Sequence, residues 1–195
     1  MIEEIERKFL PANEKWREAV EKVHDIWQGY MDLSKDTIKV VRVKEKGKNR
    51  YKLKIKTSSG TFFKNITDKE YKVLKKNLHI KRKVLRARKK DDTYILTIKI
   101  DKGVVGKKIE VEKFLSNEEF EMMRKDSNSY VSKNRHIVTY KGKVFEIDEF
   151  KEKNEGLILI EVELNSINET VELPDWVGKE VTEDPSYYNS ELAKA

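Results

Sequence analysis

Cysteine is absent from this chain, so it has no disulfide framework, no thiolate nucleophile and no thiolate metal ligand. Histidine is sparse, and His24, His79 and His136 lack the i, i+4 spacing of a paired metal site, so they are expected to be structural or surface groups. No Ser-His-Asp or Cys-His arrangement can be proposed. Glycine numbers only 8, and neither Gly-x-x-x-x-Gly-Lys-Ser/Thr nor Gly-x-Gly-x-x-Gly occurs, so no glycine loop can grip phosphate. The longest apolar run, Leu157-Ile158-Leu159-Ile160, is far short of the roughly 20 residues of a membrane helix. The opening Met1-Ile2-Glu3-Glu4 lacks the basic start and apolar stretch of a secretory signal, and a cytoplasmic location is the expectation. With 3 prolines and no Pro- or Ser-rich linker, residues 1–195 are expected to form a single domain.

What the chain has in abundance is charge, at 39% of residues, beside a 37% hydrophobic share that still suffices for a core. The net +7 hides a strong segregation. Residues 36–90 carry 21 of the 42 Lys and Arg but only 4 of the 35 acids, about +17, which leaves the remainder near −10. A lysine-rich surface is often no more than a solvated one. A block of this size nevertheless favours a polyanion partner, with RNA the first candidate for the 36–90 region.

Strand-like alternation of period two runs through 2–9, 26–31, 37–44, 51–56, 81–88, 94–100, 108–114, 130–140, 143–150 and 157–164. Lys46-Gly47-Lys48-Asn49, Asp91-Asp92 and Lys141-Gly142 separate several of these runs and predict hairpins. Four helices are expected between them. Trp16, Val20 and Val23 recur at helical spacing over 12–24. Thr67-Asp68-Lys69-Glu70 and Ser116-Asn117-Glu118-Glu119 have the form of capping boxes. Asp184-Pro185 reads as an N-cap with proline in the first turn of a last helix. A weak internal repeat overlies this pattern. Val41-Arg42-Val43-Lys44, then 51–56, then the Thr67 helix, is echoed by Leu85-Arg86-Ala87-Arg88, then 94–99, then the Ser116 helix.

The most informative residues are those that alternate. Glu4, Glu6 and Lys8 share one strand face, as do Arg86 with Arg88, Glu110 with Glu112, Lys133 with Arg135, Glu146 with Asp148, and Glu161 with Glu163. The residues between are largely apolar. Any one such strand is ordinary, with a wet face and a buried face. Taken together, paired carboxylates repel unless something neutralises them, and hard cations such as Mg²⁺ or Mn²⁺ suit their oxygens. Paired Arg and Lys suit phosphate oxygens. If the apolar faces pack outward against helices, the charges must point inward, and a closed antiparallel barrel meets that requirement.

In order along the chain, these residues resemble the CYTH superfamily of triphosphate tunnel metalloenzymes. Glu4-Ile5-Glu6-Arg7-Lys8 has the Glu-x-Glu-x-Lys signature. The likeness continues through Gln28-Gly29-Tyr30, Arg86-x-Arg88, Leu96-Thr97-Ile98-Lys99, Glu110-x-Glu112, Lys133-x-Arg135, Glu146-x-Asp148-x-Phe150, Gly156-Leu157 and Glu161-x-Glu163. Trp176 to Asp184, with Tyr188-Asn189 and Leu192-Ala193, looks like the bacterial tripolyphosphatase branch.

The resemblance implies an α+β fold: a closed antiparallel tunnel of eight strands holding a triphosphate, with helices packed outside. By matched position, Lys8, Arg86, Arg88, Lys99, Lys133 and Arg135 would grip phosphate oxygens. Glu4, Glu6, Asp148, Glu161 and Glu163 would hold Mg²⁺ or Mn²⁺, with Glu110, Glu112 and Glu146 as further acidic members. One metal would neutralise the triphosphate and a second would help position the attacking water. Lys133 and Glu6 are the candidate catalytic groups. Replacing Glu161 and Glu163 is expected to spare or stabilise the fold, since clustered carboxylates repel.

One departure from the family is clear, because this chain has two strand–strand–strand–helix units where members have one. Spacing from Gln28-Gly29-Tyr30 points to the first copy (Arg42, Lys44, Lys54, Lys56) as the tunnel lining. Chemistry points to the second, which alone has Arg-x-Arg and Glu-x-Glu, and the second copy is the expectation. The first, about 37–80, is expected to project as a basic outer surface. The implied activity is metal-dependent hydrolysis of inorganic tripolyphosphate or of a nucleoside or RNA 5′-triphosphate. ATP cyclisation, and an RNA- or nucleotide-binding module with little turnover, are the alternatives.

Overall fold

Eight antiparallel strands close on themselves. In the computed structural model, which describes residues 3–33, 37–104 and 107–194, these are β1 (Glu3–Pro11), β2 (Lys22–Met31), β6 (Lys83–Lys90), β7 (Thr93–Val104), β8 (Lys107–Phe114), β9 (Ser127–Tyr140), β10 (Lys143–Phe150) and β11 (Ile158–Glu163). Their order is β11-β10-β9-β2-β6-β7-β8-β1, and β1 pairs back onto β11 with Lys8 opposite Glu161 and Glu6 opposite Glu163. Closure leaves none of these strands an unpaired edge along its whole length. A short β12 (Val177–Glu180) adds to the end of β1.

The tight hairpins follow from their turn residues. Lys46 and Gly47 have φ of 48° and 75°, and Lys141 and Gly142 have 47° and 77°. Two consecutive positive φ values give the turn whose twist matches a hairpin.

The first repeat copy is not in the barrel wall. It forms a separate sheet, β3 (Ile38–Glu45), β4 (Lys48–Thr57) and β5 (Gly60–Ile66), followed by α1 (Asp68–Asn77). Ile38, Leu53, Ile55, Phe62 and Ile66, with Leu74 of α1, share one buried cluster with the outward side chains Leu85, Ala87, Leu96, Ile98, Ile109 and Val111 of the barrel. Phe120 and Met123 of α2 (Asn117–Lys125) complete it. Both capping boxes form, with Thr67 accepting from Glu70 N and Ser116 accepting from Glu119 N.

Two helix expectations fail. Over 12–24 there is only a single 3-10 turn, Lys15–Ala19, and β2 begins at Lys22. Trp16 buries completely in that turn, but Val23 lies exposed and does not continue a helical stripe. From Lys22 the backbone pairs residue by residue with β9, and the ladder wins over the spacing of two β-branched valines. Near the end, Asp184 does cap a turn, Pro185–Tyr187, but Tyr188 is extended and only one helical turn, α3 (Asn189–Leu192), follows. Among the described residues no helix is long and apolar enough to cross a membrane.

Candidate active site in the barrel lumen

Strand alternation places one face of every barrel strand inside. The inner faces line a cavity of about 780 Å³ whose wall includes Glu4, Glu6, Lys8, Arg86, Arg88, Lys99, Arg135, Glu146, Glu161 and Glu163. The second repeat copy supplies the β6–β8 part of that wall. Arg42, Lys44, Lys54 and Lys56 of the first copy lie in the outer sheet instead.

Three charged groups occupy the lumen. In the first, Arg135 donates to Asp148 through Nε (2.6 Å) and Nη2 (2.7 Å), to Glu161 through Nη2 (2.8 Å), and also to Glu146. Lys133 contacts Asp148 and donates to Asn189 Oδ1 at 2.9 Å, and Lys8 lies 2.9 Å from Glu161. Burial pushes Lys133 down to about 8, helped by the neighbouring Arg135 and opposed by Asp148. Burial alone would raise Asp148 and Glu161, but the surrounding cations win and hold both below the usual carboxylate range.

In the second group, Lys99 Nζ lies 2.5 Å from Glu4, 2.8 Å from Glu110 and 4.0 Å from Glu6. Lys108 adds a contact of 3.4 Å to Glu6. Burial pushes Glu4 up to about 7 despite Lys99, with Glu6 and Glu110 repelling it. Burial also works against the Glu6 carboxylate, yet Lys99, Lys8 and Lys108 hold it down to about 2. Glu4 and Glu6 both face the Lys99 ammonium, so their titrations are coupled, with Glu6 the one that remains ionised.

The third group is less balanced. Arg86 Nη2 donates to Thr97 Oγ1 at 2.9 Å and lies 3.4 Å from Glu112. Arg88 has no hydrogen bond or ion pair among the described residues, and its Nε is buried. Burial, then Arg86 and Arg135, pushes its guanidinium down to about 10. A half-buried cation with no carboxylate in contact is costly, and an anionic ligand reduces the cost.

All of the sequence-predicted residues therefore sit on the inner wall. Glu163, like Glu112, is exposed, and partial burial with repulsion from Glu4, Glu146, Glu110 and Glu6 raises it. Glu161 differs from the expectation for the Glu161/Glu163 pair. It is the counter-ion of Lys8 and Arg135, and it is not held against other acids without compensation.

Four residues were given no site role from the sequence, although Thr97, Tyr188 and Asn189 lie within the matched motifs. Lys108 lies on the same strand face as Glu110 and Glu112, and that i, i+2 relation was available. Thr97 bridges Arg86 and Glu112, donating to the latter at 2.9 Å. The Tyr188 ring lies 4.8 Å from the Lys108 ammonium, and Asn189 reaches Lys133 from the last turn. Nothing in the spacing of the last two announces them.

Among the described residues no trio of acidic or histidine side chains forms a ready metal cage. Glu4, Glu6 and Glu110 converge instead on the Lys99 ammonium, and Glu110 Oε2 is buried without an aligned hydrogen-bond donor. The lumen carboxylates and cations nearly balance one another, so a polyanion entering it needs added positive charge. An all-oxygen donor set suits a hard divalent ion.

No protein-family model matches the sequence. The chain is 45% identical over 64 residues to an inorganic triphosphatase of Acetivibrio thermocellus, a match spanning 33% of this chain and 41% of that protein, less than two thirds of its length. It is 33% identical over 113 residues to an inorganic triphosphatase of Nitrosomonas europaea, covering 56% of this chain and 74% of the relative. The crystal structure of an inorganic triphosphatase superposes with a TM-score of 0.56 at 26% identity, over 100% of this chain and 97% of the other. A conserved hypothetical protein of Pyrococcus furiosus shares the fold, at a TM-score of 0.50 and 14% identity over 85% and 80% of the two chains.

Proposed function

This chain belongs to the CYTH family of triphosphate tunnel proteins, and we propose that it hydrolyses a triphosphate with the help of Mg²⁺ or Mn²⁺. The observation that carries the proposal is Arg88, a half-buried guanidinium with no carboxylate at ion-pair distance among the described residues, in a lumen where the other cations sit against acids. Arg88 is near enough to Arg86 and Arg135 to be repelled by both, so one polyanion could engage all three.

Lys8, Arg86, Arg88, Lys99, Lys133 and Arg135 would hold the phosphate oxygens, and Arg86 and Arg135 can do so bidentately. Glu4, Glu6, Asp148, Glu161 and Glu163, with Glu110, Glu112 and Glu146, would hold the metal. When bound, the metal would neutralise the triphosphate and lower the pKa of the attacking water. The reaction joins water to a terminal phosphorus and breaks one phosphoanhydride bond, releasing phosphate and the shortened polyphosphate. Lys133, in contact with Asp148 and Asn189, would steady charge on the leaving oxygen, and Glu6 would act as an anion.

The inorganic triphosphatases among its relatives make tripolyphosphate the first substrate to test. Phosphate release should be measured from tripolyphosphate, ATP and 5′-triphosphorylated RNA, each with Mg²⁺ and with Mn²⁺. Release from none of them overturns the proposal. Arg86→Ala and Arg88→Ala should each weaken tripolyphosphate binding, and Arg42→Ala should leave it unchanged.

A further inference from the structure

The inner face of the β3–β5 sheet packs on the barrel, and its outer face carries a row of basic side chains along β4. The register sets Lys39, Lys54 and Phe63 side by side across all three strands, with Val41, Lys52 and Asn65 in the adjacent row. Arg50 and Lys56 extend the same face of β4. Lys52 is paired with Glu45 at 2.7 Å. Among the described residues no ion pair is formed by Arg50, Lys54 or Lys56. Phe63 is 50% exposed at the end of its row.

Packing does not account for this face. Lysines on an edge strand discourage strand addition, but Arg50, Lys52, Lys54 and Lys56 sit on β4, which is the central strand. The exposed phenyl ring beside them gains nothing from water.

We propose that this face binds single-stranded nucleic acid, with the β4 cations on backbone phosphates and Phe63 as a stacking platform for a base. A flat sheet with a basic row and an exposed aromatic ring offers the two contacts that single strands use. Inorganic polyphosphate shares the phosphate chemistry but has no base to stack. The surface lies outside the tunnel and is independent of turnover there.

The test uses the full chain and a fluorescent unstructured RNA oligonucleotide, with anisotropy measured across a salt series and inorganic polyphosphate as competitor. The triple change Arg50→Gln, Lys54→Gln and Lys56→Gln should weaken RNA binding at least tenfold. It should also lower the slope of log affinity against log salt by about 2, since each phosphate contact on a single strand contributes roughly 0.7. Phe63→Ala should weaken RNA binding by about tenfold and leave polyphosphate competition unchanged, whereas Phe63→Trp should retain RNA binding. Tripolyphosphate turnover should survive in every variant, which reports that each has folded. No RNA binding by the wild type near 0.1 M salt, or unchanged affinity in the triple variant, overturns the proposal. So does an equal loss of RNA and polyphosphate binding with Phe63→Ala silent, which would make the face a site for polyphosphate.

Discussion

Lys113 places its ammonium 2.8 Å from both carboxylate oxygens of Glu70, joining β8 of the barrel to the first turn of α1. Glu70 also closes the capping box at Thr67, so one side chain both starts the helix and anchors the outer element. Glu70→Gln can keep the cap and lose only the charge. The expected cost is roughly 1 kcal/mol, with faster hydrogen exchange in α1 and β3–β5 and unchanged exchange in β9 and β10. Burial works against the Glu70 carboxylate, but Lys113 and the Thr67 amide hold it below its ordinary range. Its contribution is therefore present above that range and lost as pH falls through the lowered value. Urea melts of the two proteins should converge in acid, and a difference that persists there would remove Lys113 as the cause.

Glu161 and Glu163 share a strand face, yet their neutral variants should shift stability in opposite directions. Glu161→Gln leaves Lys8 without its carboxylate and removes one partner of Arg135, a buried loss on the order of 3 kcal/mol. Glu163 is exposed and repelled by Glu4, Glu146, Glu110 and Glu6, so Glu163→Gln should raise the melting temperature slightly. An acid whose pKa is raised costs stability as pH climbs through its ordinary value, and the Glu163→Gln gain should grow over that window. Thermal melts without added metal at several pH values test both signs. Both changes should reduce metal-dependent phosphate release.

The lumen was legible because its signal is simple: charged residues two apart, with apolar residues between, can only share a face. That logic found the inner residues of β1, β6, β8, β9, β10 and β11. It overlooked Lys108 because one lysine before Glu110 and Glu112 looks like surface charge until β8 pairs with β1 and sets Lys108 beside Glu4. The start of β2 was hidden for a related reason. His24 and Gln28 are polar inner residues among Ile26 and Tyr30, so the alternation is not one of hydrophobicity. Asn189 reaches Lys133 only because the chain breaks at Tyr188 (φ −75°, ψ 133°), and a proline-started helix signal cannot foretell that break. Which repeat copy enters the wall was decided by chemistry over spacing, since only the second copy offers partners to the acids of β1.

Gly29 separates the inward Gln28 and Tyr30 at a point where the outer wall is crowded. A Cβ there would fall 2.5 Å from Ser127 Oγ and 2.5 Å from Trp27 Cη2. Trp27 cannot readily swing away, because it stacks on Tyr130 and meets Phe120 edge-on. Gly29→Ala should therefore cost about 1–3 kcal/mol by overpacking, read as a lower urea midpoint at unchanged slope. An unaltered midpoint would mean that the Trp27 ring is looser than its contacts imply.

Arg88 should show a trade between stability and binding. Its guanidinium is pushed down to about 10 by burial, Arg86 and Arg135, a cost of roughly 3 kcal/mol if the charge is kept without a ligand. Arg88→Gln removes that cost, so the ligand-free protein should melt at a higher temperature than wild type. Tripolyphosphate should then raise the variant's melting temperature by less than it raises that of the wild type, because the variant has lost a direct phosphate contact. Glu112 provides an internal check. Burial acts to raise its pKa, but Arg88 and then Arg86 hold it below its ordinary range, so its titration should move upward in the variant. A variant that is both less stable and equally responsive to tripolyphosphate would assign Arg88 to the wall of the barrel instead of the binding of its contents.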